Sequence, residues 1–322
     1  MNILGLQGSP RKKGNTHELM SLFMEKAASH GADTRVITPH SMNIQPCKEL
    51  ILCEKKGICP IKDDMDTQVY SLLKNADLIV LASPVFFYNV PAQLKALIDR
   101  CQMFWGRKYK LNLMDPNRHV RQGFMLACGA SGGKKLFEGL ELTAKIFFDA
   151  LSIPYKGSLT YRYVENPGDI KAHPTARQDI TQAVDTLCSE YFLKPGILFI
   201  SAKDACRSQM AKAFLNTHAE GRFRALSAGI HPAATICEDT SAIMAEKDLD
   251  LKYTHPEPLD RIDMERFERV ILVGDDVNIG GDVLSGRTEI WKIPEPKDRS
   301  PATLAKLRHE IEGRVLQLID II

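Results

Sequence analysis

Short apolar runs alternate with longer amphipathic stretches along nearly the whole chain, and this alternation restricts the fold more than any other feature of the sequence. Ile3-Leu4-Gly5-Leu6 reads as a buried strand, and Thr16 to His30 has helical spacing, with Leu19, Leu22, Phe23 and Ala27 on one side. Strands follow at Thr34 to Thr38, Ala76 to Ala82, Gln122 to Cys128 and Ser158 to Val164. ADLIVLA over 76–82 is almost continuously apolar, as a strand covered on both faces must be. Residues 174–192 read as a closing helix, and Leu193-Lys194-Pro195-Gly196 breaks it. The alternation then restarts. Strands are expected at 197–200, 224–228, 269–273 and 289–293, and helices at 208–218, 238–247 and 301–322. The expected fold class is α/β, with two doubly wound parallel-sheet domains over 1–193 and 194–322.

Length and charge narrow the function. At about 100–200 residues per domain, 322 residues make about two domains, each able to bury a core. Lys and Arg total 42 against 40 Asp and Glu, a net +2, so no general pull toward nucleic acid or an anionic membrane is expected. No apolar run nears the ~20 residues of a membrane span. The opening MNILGLQGS has neither a basic segment nor a cleavage site, so a cytoplasmic protein with reduced thiols is expected from the eight cysteines.

The first strand runs into Gly8-Ser9-Pro10-Arg11-Lys12-Lys13-Gly14-Asn15-Thr16 and then a helix. Such a junction presents free backbone N–H groups and the positive end of a helix dipole, a cradle for one terminal phosphate. Ser9 and Thr16 add hydroxyls, Asn15 an amide and Arg11 a planar charged fork. The dinucleotide pattern G-x-G-x-x-G is missing. After the third expected strand, Pro84-Val85-Phe86-Phe87-Tyr88-Asn89 supplies aromatics and an amide suited to a flat heterocycle. After the fourth, Gly129-Ala130-Ser131-Gly132-Gly133 allows close backbone approach. Three ligand-type loops at successive strand ends favour one bound mononucleotide.

GSPRKKGNT, SPVFFYNVPAQLKALIDR and the Gly-rich third loop together resemble the flavodoxin-like NAD(P)H-dependent FMN reductases, and the iron–sulfur flavoprotein subset most of all, over about residues 1–190. The resemblance implies FMN, with its phosphate on Ser9, Arg11, Asn15 and Thr16. It places the isoalloxazine against Pro84, Val85, Phe86, Phe87 and Asn89 and against Gly129, Ala130, Ser131, Gly132 and Gly133. It also implies electrons taken from a reduced nicotinamide and passed to a quinone, metal or protein acceptor, in a homodimer or homotetramer. The flavin carries that chemistry, so no protein side chain is singled out as catalytic.

The iron–sulfur subset has four cysteines spaced C-x2-C-x2-C-x5-C. Here Cys47, Cys53 and Cys59 remain, and Leu50 stands at the second position. A cubane cluster takes four thiolates. Three leave open an iron–sulfur cluster completed by an outside ligand, a zinc ion, or thiols packed in a lid beside the flavin.

In the second half, Ser201-Ala202-Lys203-Asp204-Ala205-Cys206-Arg207-Ser208-Gln209-Met210-Ala211, Ser227-Ala228-Gly229 and Pro294-Glu295-Pro296 resemble the low-molecular-weight protein tyrosine phosphatases and the arsenate reductases that share their fold. In that family a C-x5-R loop supplies a thiolate nucleophile and an arginine clamp. Six residues before Arg207 stands Ser201, whose alcohol ionises far above the thiol's ~8.5. Asp204 adds negative charge to the loop, and Glu295 takes the place of the late aspartate. The segment matching the reductase relay, Val270 to Gly280, has no cysteine, and Cys188 and Cys237 are expected in the core. Two readings are carried: an oxyanion-binding module using Ser201, Arg207 and Ser208, or a docking scaffold. An arsenate reductase or phosphatase-type enzyme supported by the flavin domain is the alternative.

Overall fold

The computed structural model describes residues 1–277, 279 and 286–322, so Asn278 and Gly280 of the relay-like segment lie outside the described residues. The chain divides into two compact units, residues 1–112 with 121–191, and residues 113–120 with 192–322. Residues 113–120 therefore pack with the second unit although they lie in the first half of the sequence. Asn117 Oδ1 accepts from Asn216 Nδ2 at 2.7 Å, and Met114 exchanges backbone hydrogen bonds with Asp248 and Asp250.

The first unit is a five-stranded parallel sheet of β1 (Asn2–Gln7), β2 (Asp33–Ile37), β3 (Leu78–Pro84), β4 (Gln122–Cys128) and β5 (Tyr155–Tyr161), in the order β2-β1-β3-β4-β5. Its helices are α1 (Asn15–Ser29), α2 (Leu52–Lys56), α3 (Tyr70–Asn75), α4 (Ala92–Arg100), α5 (Gln102–Tyr109), α6 (Glu138–Ala150), α7 (Asp169–Ala172) and α8 (Ala176–Phe192). The continuous apolar run over 76–82 becomes a strand whose first six residues are all buried, as expected when helices cover both faces. β5 begins three residues before its expected start. It ends at Tyr161, and Tyr163 has φ +59, a left-handed conformation that no strand accommodates.

The second unit repeats the scheme. Strands β6 (Gly196–Ser201), β7 (Arg224–Gly229), β8 (Arg269–Val273) and β9 (Thr288–Trp291) are all parallel, in the order β7-β6-β8-β9. Helices α9 (Arg207–His218), α10 (Glu238–Ala245) and α11 (Pro301–Ile321) complete it. α11 starts cleanly because Ser300 caps it: its hydroxyl accepts from Thr303 N, and Pro301 occupies the first helical position. Trp291 is buried and packs on Phe199 with ring centroids 5.6 Å apart. Among the described residues, no helix is long and apolar enough to cross a membrane.

One buried ion pair fixes the long segment between β2 and α3. The Arg100 and Asp63 side chains are both fully buried, and Nη1 lies 2.5 Å from Oδ2. Arg100 also donates to the carbonyls of Gln45 and Ile61, so a single guanidinium holds both ends of the stretch carrying Cys47, Cys53 and Cys59. Burial alone would raise the Asp63 pKa. The bonds from Arg100 and from the Gln45 and Met65 amides outweigh it, and the carboxyl ends below its ordinary value. The folded-state pKa is lowered, so this contribution is present above the unfolded value of about 3.9 and is lost as pH falls through the lower folded value. Arg100→Met strands a buried carboxylate and is expected to cost about 3–5 kcal/mol in urea unfolding. Arg100→Met with Asp63→Leu is expected to regain most of that loss. A single variant within about 1 kcal/mol of the parent would show that the pair does not hold the segment.

Candidate functional site

In each unit the second strand lies on one side of the first and the third strand on the other, which opens a crevice at the carboxyl end of the first strand. In the first unit this crevice begins at Gln7, which is buried with both amide atoms unpartnered. The loop that follows leads into α1, whose N-cap is Gly14 and which has no side-chain cap. The amides of the first turn are thus left to whatever binds there. Ser9 is buried and its Oγ accepts from Arg11 N at 3.2 Å, while the Arg11 side chain is exposed. Thr16 is buried with its hydroxyl 3.5 Å from Cys128 Sγ at the end of β4. Asn15 is engaged elsewhere. Its Nδ2 donates to Asn166 O at 2.8 Å, and its Oδ1 accepts from Gly168 N and Ile170 N. The amide therefore ties the 166–170 turn to the start of α1, and the Gly168 turn is its only sequence trace.

Beyond Pro84 and Val85, Phe86 and Asn89 exchange backbone hydrogen bonds at 2.8 and 2.9 Å, closing a tight turn with Phe87 and Tyr88 at its tip. Both tip residues have positive φ, +48 and +60, where bulky side chains are genuine outliers. Phe87 is 101% exposed. Strain of this kind costs on the order of 1–3 kcal/mol per residue and clusters at ligand sites. Asn89 Oδ1 accepts from Val90 N and from Thr143 Oγ1 at 3.1 Å, which leaves its Nδ2 without a partner among the described residues. Gly129 is buried and continues the β4–β5 ladder through Tyr161 O and Val164 N. Ala130, Ser131 and Gly132 are exposed, Gly133 is half-buried, and the exposed Tyr163 overhangs them. The three loops gather at one edge of the sheet. Tyr88 of the aromatic loop joins them, and so do Thr143 and Tyr163, neither of which carries a sequence signal of its own.

Next to Thr143 a cleft of about 740 Å³ opens between the cysteine-bearing segment and α4, α5 and α6. Cys47, Cys53, Trp105, Leu142 and Ile146 are among its walls. Burial raises the Cys53 pKa against local backbone hydrogen bonds, and Cys59 and Cys47 add to the rise. Among the described residues no three His, Cys, Asp or Glu side chains are grouped to hold a metal ion, so the structure does not assemble Cys47, Cys53 and Cys59 as a ligand set.

The crevice of the second unit is furnished from within. Asp204 N donates to Ser201 Oγ at 3.0 Å, Ser201 and Ser208 hydroxyls lie 2.7 Å apart, and Ser208 Oγ donates to Asp204 Oδ1 at 2.7 Å. Asp204 Oδ2 accepts from Gln209 Nε2 and Glu257 N. The Asp204 carboxylate therefore sits beneath the loop, not in the anion position the sequence assigns it, because φ +48 turns its side chain inward. Burial pushes its pKa up, against Lys212 and these donors. Ser208 is fully buried and outside the cleft, with its hydroxyl given to Asp204.

Above the loop lies a cleft of about 340 Å³, walled by Ser201, Lys203, Cys206, Arg207, Glu295 and Arg299 among others. Arg207 donates to Ile293 O at 2.7 Å, and its other nitrogen meets Asp276 at 3.1 Å and Glu295 at 2.7 Å. Its charge faces two carboxylates. Burial alone would raise the Asp276 pKa, but Arg207 brings it below its ordinary range. Cys237 is half-buried and also lines this cleft, instead of joining the core. Cys237, Asp276 and Arg299 come from three separate loops, and no motif marks them.

Residues 1–159 match the family model described as NADPH-dependent FMN reductase, and residues 196–322 match that of the low molecular weight phosphotyrosine protein phosphatases. The two matches follow one another along the chain. An iron–sulfur flavoprotein of Methanocaldococcus jannaschii is 41% identical over 100 residues, 31% of this chain and 51% of the relative. One from Methanosarcina thermophila is 37% identical over 111 residues, 34% of this chain and 58% of the relative. A glutaredoxin arsenate reductase of Synechocystis sp. is 27% identical over 130 residues, covering 38% of this chain and 95% of the relative. The chain spans about half the length of the iron–sulfur flavoproteins it matches.

The buried network makes a stability prediction. Asp204→Ala strands donors on Ser208, Gln209 and Glu257, and each stranded donor is expected to cost roughly 1–3 kcal/mol. With Trp105→Phe as background, Trp291 fluorescence follows the second unit in urea. A loss under about 1 kcal/mol would mean that the network does not hold the loop.

Proposed function

We propose that the chain is an FMN-dependent NAD(P)H oxidoreductase of the cytoplasm, passing electrons from a reduced nicotinamide to a quinone, metal or protein acceptor. The observation that carries this reading is the uncapped α1 N-terminus, set beside the strained Phe87–Tyr88 turn and the Gly129–Gly133 loop at one sheet edge. FMN bound there supplies hydride acceptance and onward electron transfer. The protein's part is to hold and shield. First-turn amides of α1, Ser9, Thr16 and Arg11 serve a phosphate, and about half an elementary charge at the helix terminus adds to their pull. The unengaged Asn89 Nδ2 offers a donor to a ring edge, and Pro84, Val85, Phe86 and Phe87 wall one side. Gly129, Ala130, Ser131, Gly132 and Gly133 let backbone approach the other. The adjoining 740 Å³ cleft is large enough for a small acceptor. Leu142 and Ile146, 63% and 60% exposed on neighbouring turns of α6, favour a homodimer or homotetramer.

Purified protein is expected to be yellow and to bleach anaerobically with NADPH or NADH. Persistent colour with both, and with a chemical reductant, would remove the reading. A glycine pair tests the geometry. A Cβ at Gly139 would lie 2.2 Å from the backbone oxygen of Tyr88, so Gly139→Ala must shift the aromatic turn. A Cβ at Gly313, in α11 of the second unit, meets no atom within 4 Å. Gly139→Ala is expected to weaken FMN binding by about tenfold or more, of order 1.4 kcal/mol. Gly313→Ala is expected to change it little. Equal effects would place the flavin elsewhere.

For the second unit we propose oxyanion binding in the 340 Å³ cleft, which Arg207 and Arg299 favour. Glu295 competes for Arg207 but is 56% exposed, so its hold is worth about 1 kcal/mol at most. Glu295→Gln is expected to tighten phosphate binding up to about fivefold in calorimetry. No heat with phosphate, arsenate or sulfate from either protein would leave docking as the role of this unit.

A further inference from the structure

The second unit contains two cysteines, Cys206 and Cys237, and both line the cleft above the Ser201–Ser208 loop. Cys206 is the N-cap of α9 and Cys237 the N-cap of α10, so the positive ends of two helices lie beside the thiols. Cys237 N donates to Ala205 O at 3.1 Å, the carbonyl of the peptide that joins Ala205 to Cys206. One backbone hydrogen bond therefore separates the two residues. A disulfide spans Cα separations of roughly 4.4–6.8 Å, and this hydrogen bond sets the two backbones side by side.

The surroundings favour reaction at one thiol and closure by the other. Arg299 is held by Asp239 through Nε–Oδ2 and Nη2–Oδ1 contacts of 2.5 and 2.6 Å, and it lines the cleft with both cysteines. Cys206 is buried, and burial raises its pKa against the pull of Thr240 and Arg299. Cys237 is the more accessible.

We infer that Cys206 and Cys237 form a second redox centre, a dithiol that closes reversibly to a disulfide at the wall of the anion cleft. A peroxide is the oxidant. The Cys237 thiolate attacks one peroxide oxygen, the O–O bond breaks, hydroxide leaves and a sulfenic acid remains. The Cys206 thiolate then attacks that sulfur and expels the oxygen as hydroxide, which takes a proton to become water. In sum, two thiols lose two electrons and two protons, and hydrogen peroxide becomes two waters. A dithiol reductant reverses the step by exchange and is itself oxidised to a disulfide. Closure joins the starts of α9 and α10 and fixes one wall of the cleft that holds Arg207.

The experiment uses the full chain. It is treated with hydrogen peroxide, its remaining thiols are blocked with N-ethylmaleimide, and it is digested with trypsin for mass spectrometry. The expected product is the 204–207 peptide linked to the 225–247 peptide, two hydrogens lighter than their sum and released by dithiothreitol. Cys206→Ser and Cys237→Ser should each abolish the link, and Cys188→Ser should not. Exposed Cys47 reports that the oxidant acted. If Cys206 and Cys237 both carry the maleimide while Cys47 is oxidised, or if they link to other cysteines instead, the inference is wrong. The parent protein decides this alone should a variant fail to fold.

Discussion

A parallel sheet that grows outward from its first strand in both directions has to leave a gap where the connections part, and in this protein both units are organised around that gap. The strand orders β2-β1-β3 and β7-β6-β8 place β1 and β6 between their neighbours. The loops after them cannot be covered by a crossover helix, since the helices leave to opposite faces. Backbone amides and a helix terminus are then exposed at a fixed place whatever the side chains are. The chain meets this demand twice, in opposite ways.

In the first unit the demand is left open. Gly14 gives α1 no side-chain cap, and Asn15 turns away to hold the 166–170 turn. Gln7 stays buried without partners for its amide. In the second unit the protein uses its own carboxylates. Asp204 takes the donors beneath the loop, and Asp276 and Glu295 take Arg207 above it. An unpartnered buried donor costs about 1–3 kcal/mol, so a loop that lacks a resident ligand is more stable when it carries its own acceptors. The Arg100–Asp63 pair applies the same device within the first unit, closing both ends of the cysteine-bearing segment with one buried charge pair.

How far these features could be read in advance follows from their physical range. The central strands were legible, because burial on both faces writes apolar runs such as 78–84 and 122–128 into the sequence, whereas β2 and β9 are mostly exposed. The site loops were legible as segments, since Gly and polar residues at strand ends are local signals. The partners of individual side chains were not. Asn15 reads as a phosphate ligand until the turn at Gly168 is placed against it, and Asp204 reads as an obstruction to anions until its left-handed backbone turns it inward. Cys237 resembles a core residue because its neighbour Cys206 is 31 positions away and only the β7–α10 connection brings them together. β5 was displaced for a similar reason: Tyr163 fits a strand by composition, but it caps the Gly129–Gly133 loop.

The loss of the thiol at position 201 changes more than one atom. A cysteine there would need donors to stabilise a thiolate, and the hydroxyl of Ser208 would be one of them. With Ser201 neutral, the Ser201–Ser208 bond runs on to Asp204, and the proton chain ends on a buried carboxyl instead of an anionic sulfur. A negative group within the loop is tolerable because the nucleophile's charge is gone, and Gln209, the Glu257 amide and Lys212 offset what remains. Ser201 and Asp204 thus compensate one another within the loop. They keep the loop folded around Arg207 with no thiol at its base.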